Sequence, residues 1–95
     1  MQKAFIRLKA FKQHRYIHDG DQYFFKYDNN YGASVVRHCD SYGGPAGLYE
    51  LAVIKYDDNN DWDIVYDTPI TYDVLGWLKP AQVLKTLKEI SKLPA

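Results

Sequence analysis

Three histidines and a lone cysteine are the residues of this chain with the most obvious capacity for nucleophilic or metal chemistry, and their spacing limits what each can do. His38 and Cys39 are neighbours, a pairing that suggests a thiolate and its base, but adjacent residues of a strand point to opposite faces. The pair then cannot meet, and no third residue is placed to orient the histidine, so Cys39 reads as a buried or idle thiol. His14 and His18 stand four apart and would share one helical face, the spacing of many zinc pairs. No glutamate follows His14, and Asp19-Gly20 breaks a helix at that point, so both read as surface histidines. The run Asp57-Asp58-Asn59-Asn60-Asp61-Trp62-Asp63 resembles half a calcium loop. Counted from Asp57, Trp62 stands where the turn glycine is required and Thr68 where the closing glutamate belongs, which argues against a calcium site. Glu50 has no second carboxylate at strand spacing for acid and base work. The residues therefore imply no catalytic set, no metal site and no cofactor, and the expectation is a protein that is not an enzyme.

The glycine-rich stretch Ser41-Tyr42-Gly43-Gly44-Pro45-Ala46-Gly47 is the other candidate. It precedes no helix and carries no lysine, so it does not read as a phosphate cradle. Three glycines and a proline between two strand-like runs, Tyr31 to His38 and Leu48 to Tyr56, instead specify backbone geometry.

The elements that must position these residues follow from periodicity. Gln22 to Tyr27 and Tyr31 to His38 flank Asp28-Asn29-Asn30, whose residues tolerate the left-handed conformations of a short hairpin. Leu48 to Tyr56 and Trp62 to Tyr66 flank Asp57 to Asp61, so Tyr27-Asp28-Asn29-Asn30 and Tyr56-Asp57-Asp58-Asn59-Asn60 form two versions of one hairpin tip. The glycine-rich loop joins the two hairpins. Within the third strand Tyr49, Leu51 and Val53 make a clean apolar row and Glu50, Ala52, Ile54 and Tyr56 a mixed one, so one face should meet a helix and the other should be partly wet. From Pro80 onward Val83, Leu84, Leu87 and Ile90 recur at helical spacing against Gln82, Lys85, Lys88, Glu89 and Lys92, until Pro94 ends the pattern. Thr71 to Leu78 reads as a turn or single helical coil capped by Asp73 and stopped by Gly76. Between Lys3 and Gln13 only Ile6 is β-branched, and the good helix formers there predict a helical N-terminal segment, with Tyr16 to His18 adding a short strand. The expected fold is one α+β domain over residues 1–95, an antiparallel four-stranded meander sheet packed by a C-terminal amphipathic helix.

Composition bounds the partners. Ninety-five residues suffice for one core, and fifteen aromatics, nine of them tyrosines, favour sheet and adhesive surfaces. No apolar run is long enough to span a membrane, the first eleven residues interleave Lys3, Arg7 and Lys9, and the lone cysteine agrees with a reducing compartment, so a cytoplasmic protein is expected. Net charge is zero, but residues 1–38 hold seven cations against three carboxylates and the remainder five against nine. Folding either interleaves these halves or leaves the molecule two-sided. Aromatics interleaved with cations, Tyr23 to Tyr27 and Tyr31 to Arg37, suit a stacking platform for single-stranded nucleic acid, although core packing explains them more simply.

The string Tyr31 to His38, then Ser41-Tyr42-Gly43-Gly44, Gly47 to Val53, Asp67-Thr68-Pro69-Ile70-Thr71, and Asp73-Val74 with Gly76-Trp77-Leu78, resembles a set of small, mostly uncharacterised accessory proteins encoded by bacteriophages and prophages. The resemblance covers residues 31 to about 93 and implies a viral protein acting inside a bacterial cell. Such proteins commonly bind a host factor, including components of antiviral defence such as CRISPR effectors. The leading expectation is a non-enzymatic protein that engages a host protein through Tyr42, Asp57, Asp58, Asp61, Trp62 and Asp63. The alternative is a nucleic-acid-binding module using the basic N-terminal third and the sheet aromatics. A homodimer is compatible with either.

Overall fold

The computed structural model describes residues 1–95 and has the α+β architecture that the periodicity implies, with more strands than expected. In chain order the elements are helix α1 (Lys3–Ile6), strands β1 (Phe11–Ile17), β2 (Gly20–Lys26) and β3 (Tyr31–Arg37), a 3-10 turn (Gly44–Ala46), strands β4 (Tyr49–Tyr56), β5 (Trp62–Ile64) and β6 (Leu75–Leu78), and helix α2 (Pro80–Ile90). All pairings are antiparallel. The sheet runs β1-β2-β3-β4, and the outer edge of β4 is shared by β5 at Ile54 to Tyr56 and β6 at Tyr49 to Leu51.

The register puts Tyr23, Val35 and Leu51 abreast, and likewise Phe25, Ala33 and Val53. These side chains share one face, and α2 buries Val83, Leu87 and Ile90 against it. Helix α1 contributes one side chain to the same core. Phe5, wholly buried, lies edge-on to Tyr23 at 5.2 Å and to Tyr49 at 5.0 Å between ring centres. The row Tyr49, Leu51 and Val53 thus meets the helix, as alternation requires, and Ile54 and Tyr56 form a smaller cluster with Phe24 on the other face.

Two expectations are corrected. The N-terminal segment is helical only over Lys3–Ile6, and the stretch from Phe11 is a strand. His18 and Asp19 both take positive φ (46° and 58°), a tight two-residue hairpin turn that delivers β1 onto the edge of β2. The ladder hydrogen bonds gained there outweigh a helix preference of a few tenths of a kcal/mol per residue, on the order of the spread among ordinary residues. Residues Leu75–Leu78 are likewise a strand rather than a coil, because the outer edge of β4 offers unpaired backbone groups beside them. Asp73 is not a helix cap; its N–H donates to Thr71 Oγ1 at 3.0 Å.

The two hairpin tips are the same device. Tyr27 N–H donates to Tyr31 O and Asp57 N–H to Asp61 O, each at 2.8 Å, and Asn30 and Asn60 take φ of 68° and 65°. Their outward roles differ. Asn29 Nδ2 donates to the carbonyls of Ile90 (3.0 Å) and Leu93 (2.9 Å), closing the C-terminal end of α2, where carbonyls lack helical partners.

Two buried hydroxyl environments lead to measurable consequences. The Tyr49 phenol oxygen is buried without a hydrogen-bond partner. Tyr49→Phe should therefore raise the unfolding free energy by about 1 kcal/mol, seen as a higher urea midpoint at unchanged slope; a clear destabilisation would mean that the hydroxyl is bonded. Burial pushes the phenols of Tyr23, Tyr27 and Tyr56 above their ordinary value of 10.0. The fold holds the neutral form, so their contribution is complete below pH 10 and is lost as pH rises through the folded-state values. Denaturant midpoints should stay level up to that point and then fall in step with tyrosine absorbance, and Tyr56→Phe should flatten the fall.

Candidate partner-binding surface

The residues singled out for binding do not form one patch. Asp57 is used within the tip, where its Oδ1 accepts from the backbone N–H of Asn59 (2.9 Å) and Asp61 (3.0 Å). Asp58 projects into solvent at the tip. Asp63 stands opposite Lys55 in the β4–β5 register, and alternation sends its side chain to the face away from Trp62. Asp61 and Trp62 do come together, lining one hollow with Lys12 and Tyr56. Tyr42 lies at the other end of β4, against Glu50, while Trp62 pairs with Tyr56. Glu50 and Tyr56 are six residue steps apart along the strand, which is about 20 Å.

The acidic tip is also not detached from the rest of the sheet. Lys12 Nζ and Lys26 Nζ both donate to Asn60 Oδ1, at 2.6 and 3.1 Å, so the second hairpin tip is laid against the basic strands β1 and β2. The basic and acidic halves of the sequence thus meet here through a neutral side chain, with no ion pair between them.

Around Tyr42 the structure is far more closely specified. β6 carries a bulge: Tyr49 pairs with Leu78 and Leu51 with Leu75, leaving Gly76 and Trp77 opposite the single residue Glu50. Trp77 adopts φ 58°, a left-handed conformation that costs a bulky side chain about 1–2 kcal/mol. Its N–H, turned from the β4 ladder, donates to Tyr42 O at 3.1 Å. Tyr42 N–H in turn donates to Glu50 Oε1 at 3.1 Å. The backbone of Tyr42 is thereby held on both sides, by β6 through its carbonyl and by β4 through its amide.

The glycines make this approach possible. Gly43 has φ 90°, and a Cβ there would lie 2.8 Å from the Cα of Trp77. A Cβ on Gly76 would lie 2.6 Å from the Cβ of Tyr42. Each glycine is thus the seat for the aromatic residue of the opposite segment, and the interlock leaves both aromatic side chains outside: Tyr42 and Trp77 are each 62% exposed. Ser41 braces the start of the loop, accepting from His38 N–H and donating to His38 O, both at 3.0 Å. The geometry expected of the glycine-rich loop is therefore real, and its product is an exposed tyrosine and tryptophan on rigid backbone.

Trp77 was not among the expected site residues. The sequence carries no signal for it by itself: Leu75 and Leu78 are three apart and both stand opposite inward-facing residues of β4, which requires a bulge between them, but only the pairing reveals this.

His38 and Cys39 line a hollow shared with Gly44 and Pro45 of this loop, His18 lies beside His38, and His14 lies on β1. His14 is not a surface residue; its Nε2 lies 2.7 Å from Asp21 Oδ1 with its side chain nearly buried. His18 and His38 have ring centres 5.1 Å apart, beside an open hollow of about 280 Å³ lined by Asp19, Asp21, Arg37, His38 and Cys39. Cys39 is exposed rather than buried, because β3 ends at Arg37 and the chain turns out of the sheet. Partial desolvation raises the pKa of its thiol, and the Asp19 and Asp40 carboxylates add to the effect, which opposes thiolate formation. No three His, Cys, Asp or Glu side chains converge as a metal-binding group. No helix is long and apolar enough to cross a membrane. No protein-family model, curated protein or solved structure matches the chain.

The interlock can be measured by comparing two glycines. Gly43→Ala should cost about 2 kcal/mol or more, combining backbone strain with a clash against Trp77. Gly47 has φ 80° but open space around its would-be Cβ, so Gly47→Ala should show the strain alone, about 1 kcal/mol. Equal urea midpoints for the two variants would show that the Gly43 contact with Trp77 contributes nothing.

Proposed function

We propose that this protein is a non-enzymatic binding module that engages a partner protein through Tyr42 and Trp77, the aromatic pair raised by the glycine-rich loop and the β6 bulge. The observation that carries the reading is the combination of exposure and cost. Two large aromatic side chains stand in solvent on backbone held by a positive-φ tryptophan, two close glycine contacts and the Glu50 side chain. Strain of this kind persists only where the surroundings enforce it, and it gathers at sites of function. Tryptophan and tyrosine are also the residues that dominate binding energy in protein interfaces, and a rigid presentation lowers the entropy cost of docking them.

The resemblance to phage and prophage accessory proteins directs the search to a bacterial host. The partner class to examine first is a host protein, with antiviral-defence components such as CRISPR effectors among the leading candidates. In this reading the acidic tip is secondary, since Asp57 serves the turn and Asp63 leaves on the other face.

The test is affinity capture from bacterial lysate with nuclease present, followed by affinity measurement on the captured partner. Tyr42→Ala and Trp77→Asn should each weaken the complex at least about tenfold, asparagine being chosen because it tolerates positive φ. Charge reversal Asp58→Lys should change affinity by no more than about twofold, as expected of an exposed charge outside the interface. A partner that binds both aromatic variants as well as the parent chain would remove the pair from the account. A partner lost only with Asp58→Lys would transfer the site to the hairpin tip.

A further inference from the structure

The face of the sheet away from α2 carries a second feature, unrelated to Tyr42 and Trp77. Lys12 and Lys26 converge on one neutral oxygen, Asn60 Oδ1, at 2.6 and 3.1 Å. Both ammonium groups also lie over the ring of Tyr56, at 4.5 and 5.2 Å from its centre. Arg15 adds a third cation on the same face, its guanidinium 5.2 Å from the centre of the Phe24 ring and its Nε donating to Gln22 Oε1 at 2.6 Å. The ion pairs of the molecule both belong to Asp21, with His14 and Arg37, and neither includes Lys12, Arg15 or Lys26.

Like charges are not brought together at a neutral acceptor without cost, and a chain with twelve carboxylates had the means to neutralise them. Partial desolvation, and secondarily the charge of Lys26, lower the pKa of Lys12. In the adjoining hollow of about 210 Å³ Lys12 faces the one carboxylate, Asp61, while Lys26 and Arg15 stand beside it as two further cations without an ion-pair partner. Trp62 walls the same hollow, packed at 5.3 Å on Phe24 with 37% of its surface open to solvent.

We propose that this face is a site for single-stranded nucleic acid, with backbone phosphates held by Lys12, Lys26 and Arg15 and a base stacked on the open side of Trp62. The pairing of chemistries selects the ligand. Unpartnered cations ask for an anion, and an exposed indole beside them asks for a flat π surface carried by that anion. A duplex keeps its base faces stacked away from Trp62, and an acidic peptide brings carboxylates without the planar group. The stacking role expected of Tyr23 to Tyr27 passes instead to Trp62, because Tyr23 and Phe25 face the core and Phe24 lies beneath Trp62.

The chain has two tryptophans, so Trp77→Phe leaves Trp62 as the sole indole reporter. This protein is titrated with oligothymidylate and oligouridylate of about twelve nucleotides, a length within one binding-site size for a small module. Quenching of Trp62 fluorescence should accompany binding, with a log–log salt slope of magnitude about 2 for three single-strand phosphate contacts. Lys12→Gln or Lys26→Gln should weaken binding about five- to tenfold and reduce the slope by about 0.7. Asp61→Asn should strengthen it, a gain that a folding defect cannot imitate. Absence of quenching with both oligonucleotides at low salt would overturn the proposal, as would binding unaffected by the lysine substitutions. Equal binding of a polyglutamate peptide without a Trp62 response would also overturn it, by reassigning the cations to an acidic peptide.

Discussion

Everything after β3 takes its place from the outer edge of β4. This eight-residue strand is paired along its inner edge by β3, and its outer edge would otherwise present a row of unsatisfied amides and carbonyls. Two short strands divide the work. β5 covers Ile54 to Tyr56, Val65 N–H reaches Val53 O at 2.8 Å, and β6, running in the same direction as β5, covers the stretch from Tyr49 to Leu51. A segment of only four residues cannot match that edge regularly while also delivering Leu78 and the start of α2 to the core, and the bulge at Gly76-Trp77 absorbs the mismatch. The amide of Trp77 then needs a new acceptor, and the carbonyl of Tyr42 supplies it. The candidate surface is thus a consequence of completing one strand edge.

The two hairpin tips, alike in backbone, do different work because they meet different neighbours. The first tip lies at the end of α2 and gives its Asn29 amide to the helix carbonyls. The second tip folds towards β1 and gives its Asn60 oxygen to two lysines. In each case an asparagine side chain supplies a contact that a carboxylate would have made differently. At Asn29 the amide donates, which an ionised carboxylate cannot do. At Asn60 the neutral oxygen holds two lysines that have no ion-pair partner of their own.

Much of this was legible beforehand, for identifiable reasons. The apolar row Tyr49, Leu51 and Val53 against the mixed row from Glu50 to Tyr56 set the faces of β4 by simple alternation, and α2 followed from its amphipathic period between Pro80 and Ile90. The hairpin tips were legible because asparagine at a left-handed position leaves a compositional mark. β1 and β6 were not, since both are captured by an edge whose existence is a property of the assembled sheet. Phe11 to Ile17 has residues that a helix would accept equally well, and the decision rests with β2.

The sequence by itself determined the fold class, the inward face of each central strand, the amphipathic helix and the demand for special backbone at the glycine-rich loop, because all four depend on local periodicity and local steric freedom. Tertiary structure alone decided that Tyr42 meets Trp77 and that Lys12 and Lys26 share Asn60. Those juxtapositions join residues thirty-four to forty-eight positions apart. Their physical origin is the pairing of strand edges, which brings distant side chains together through backbone hydrogen bonds that no local pattern encodes.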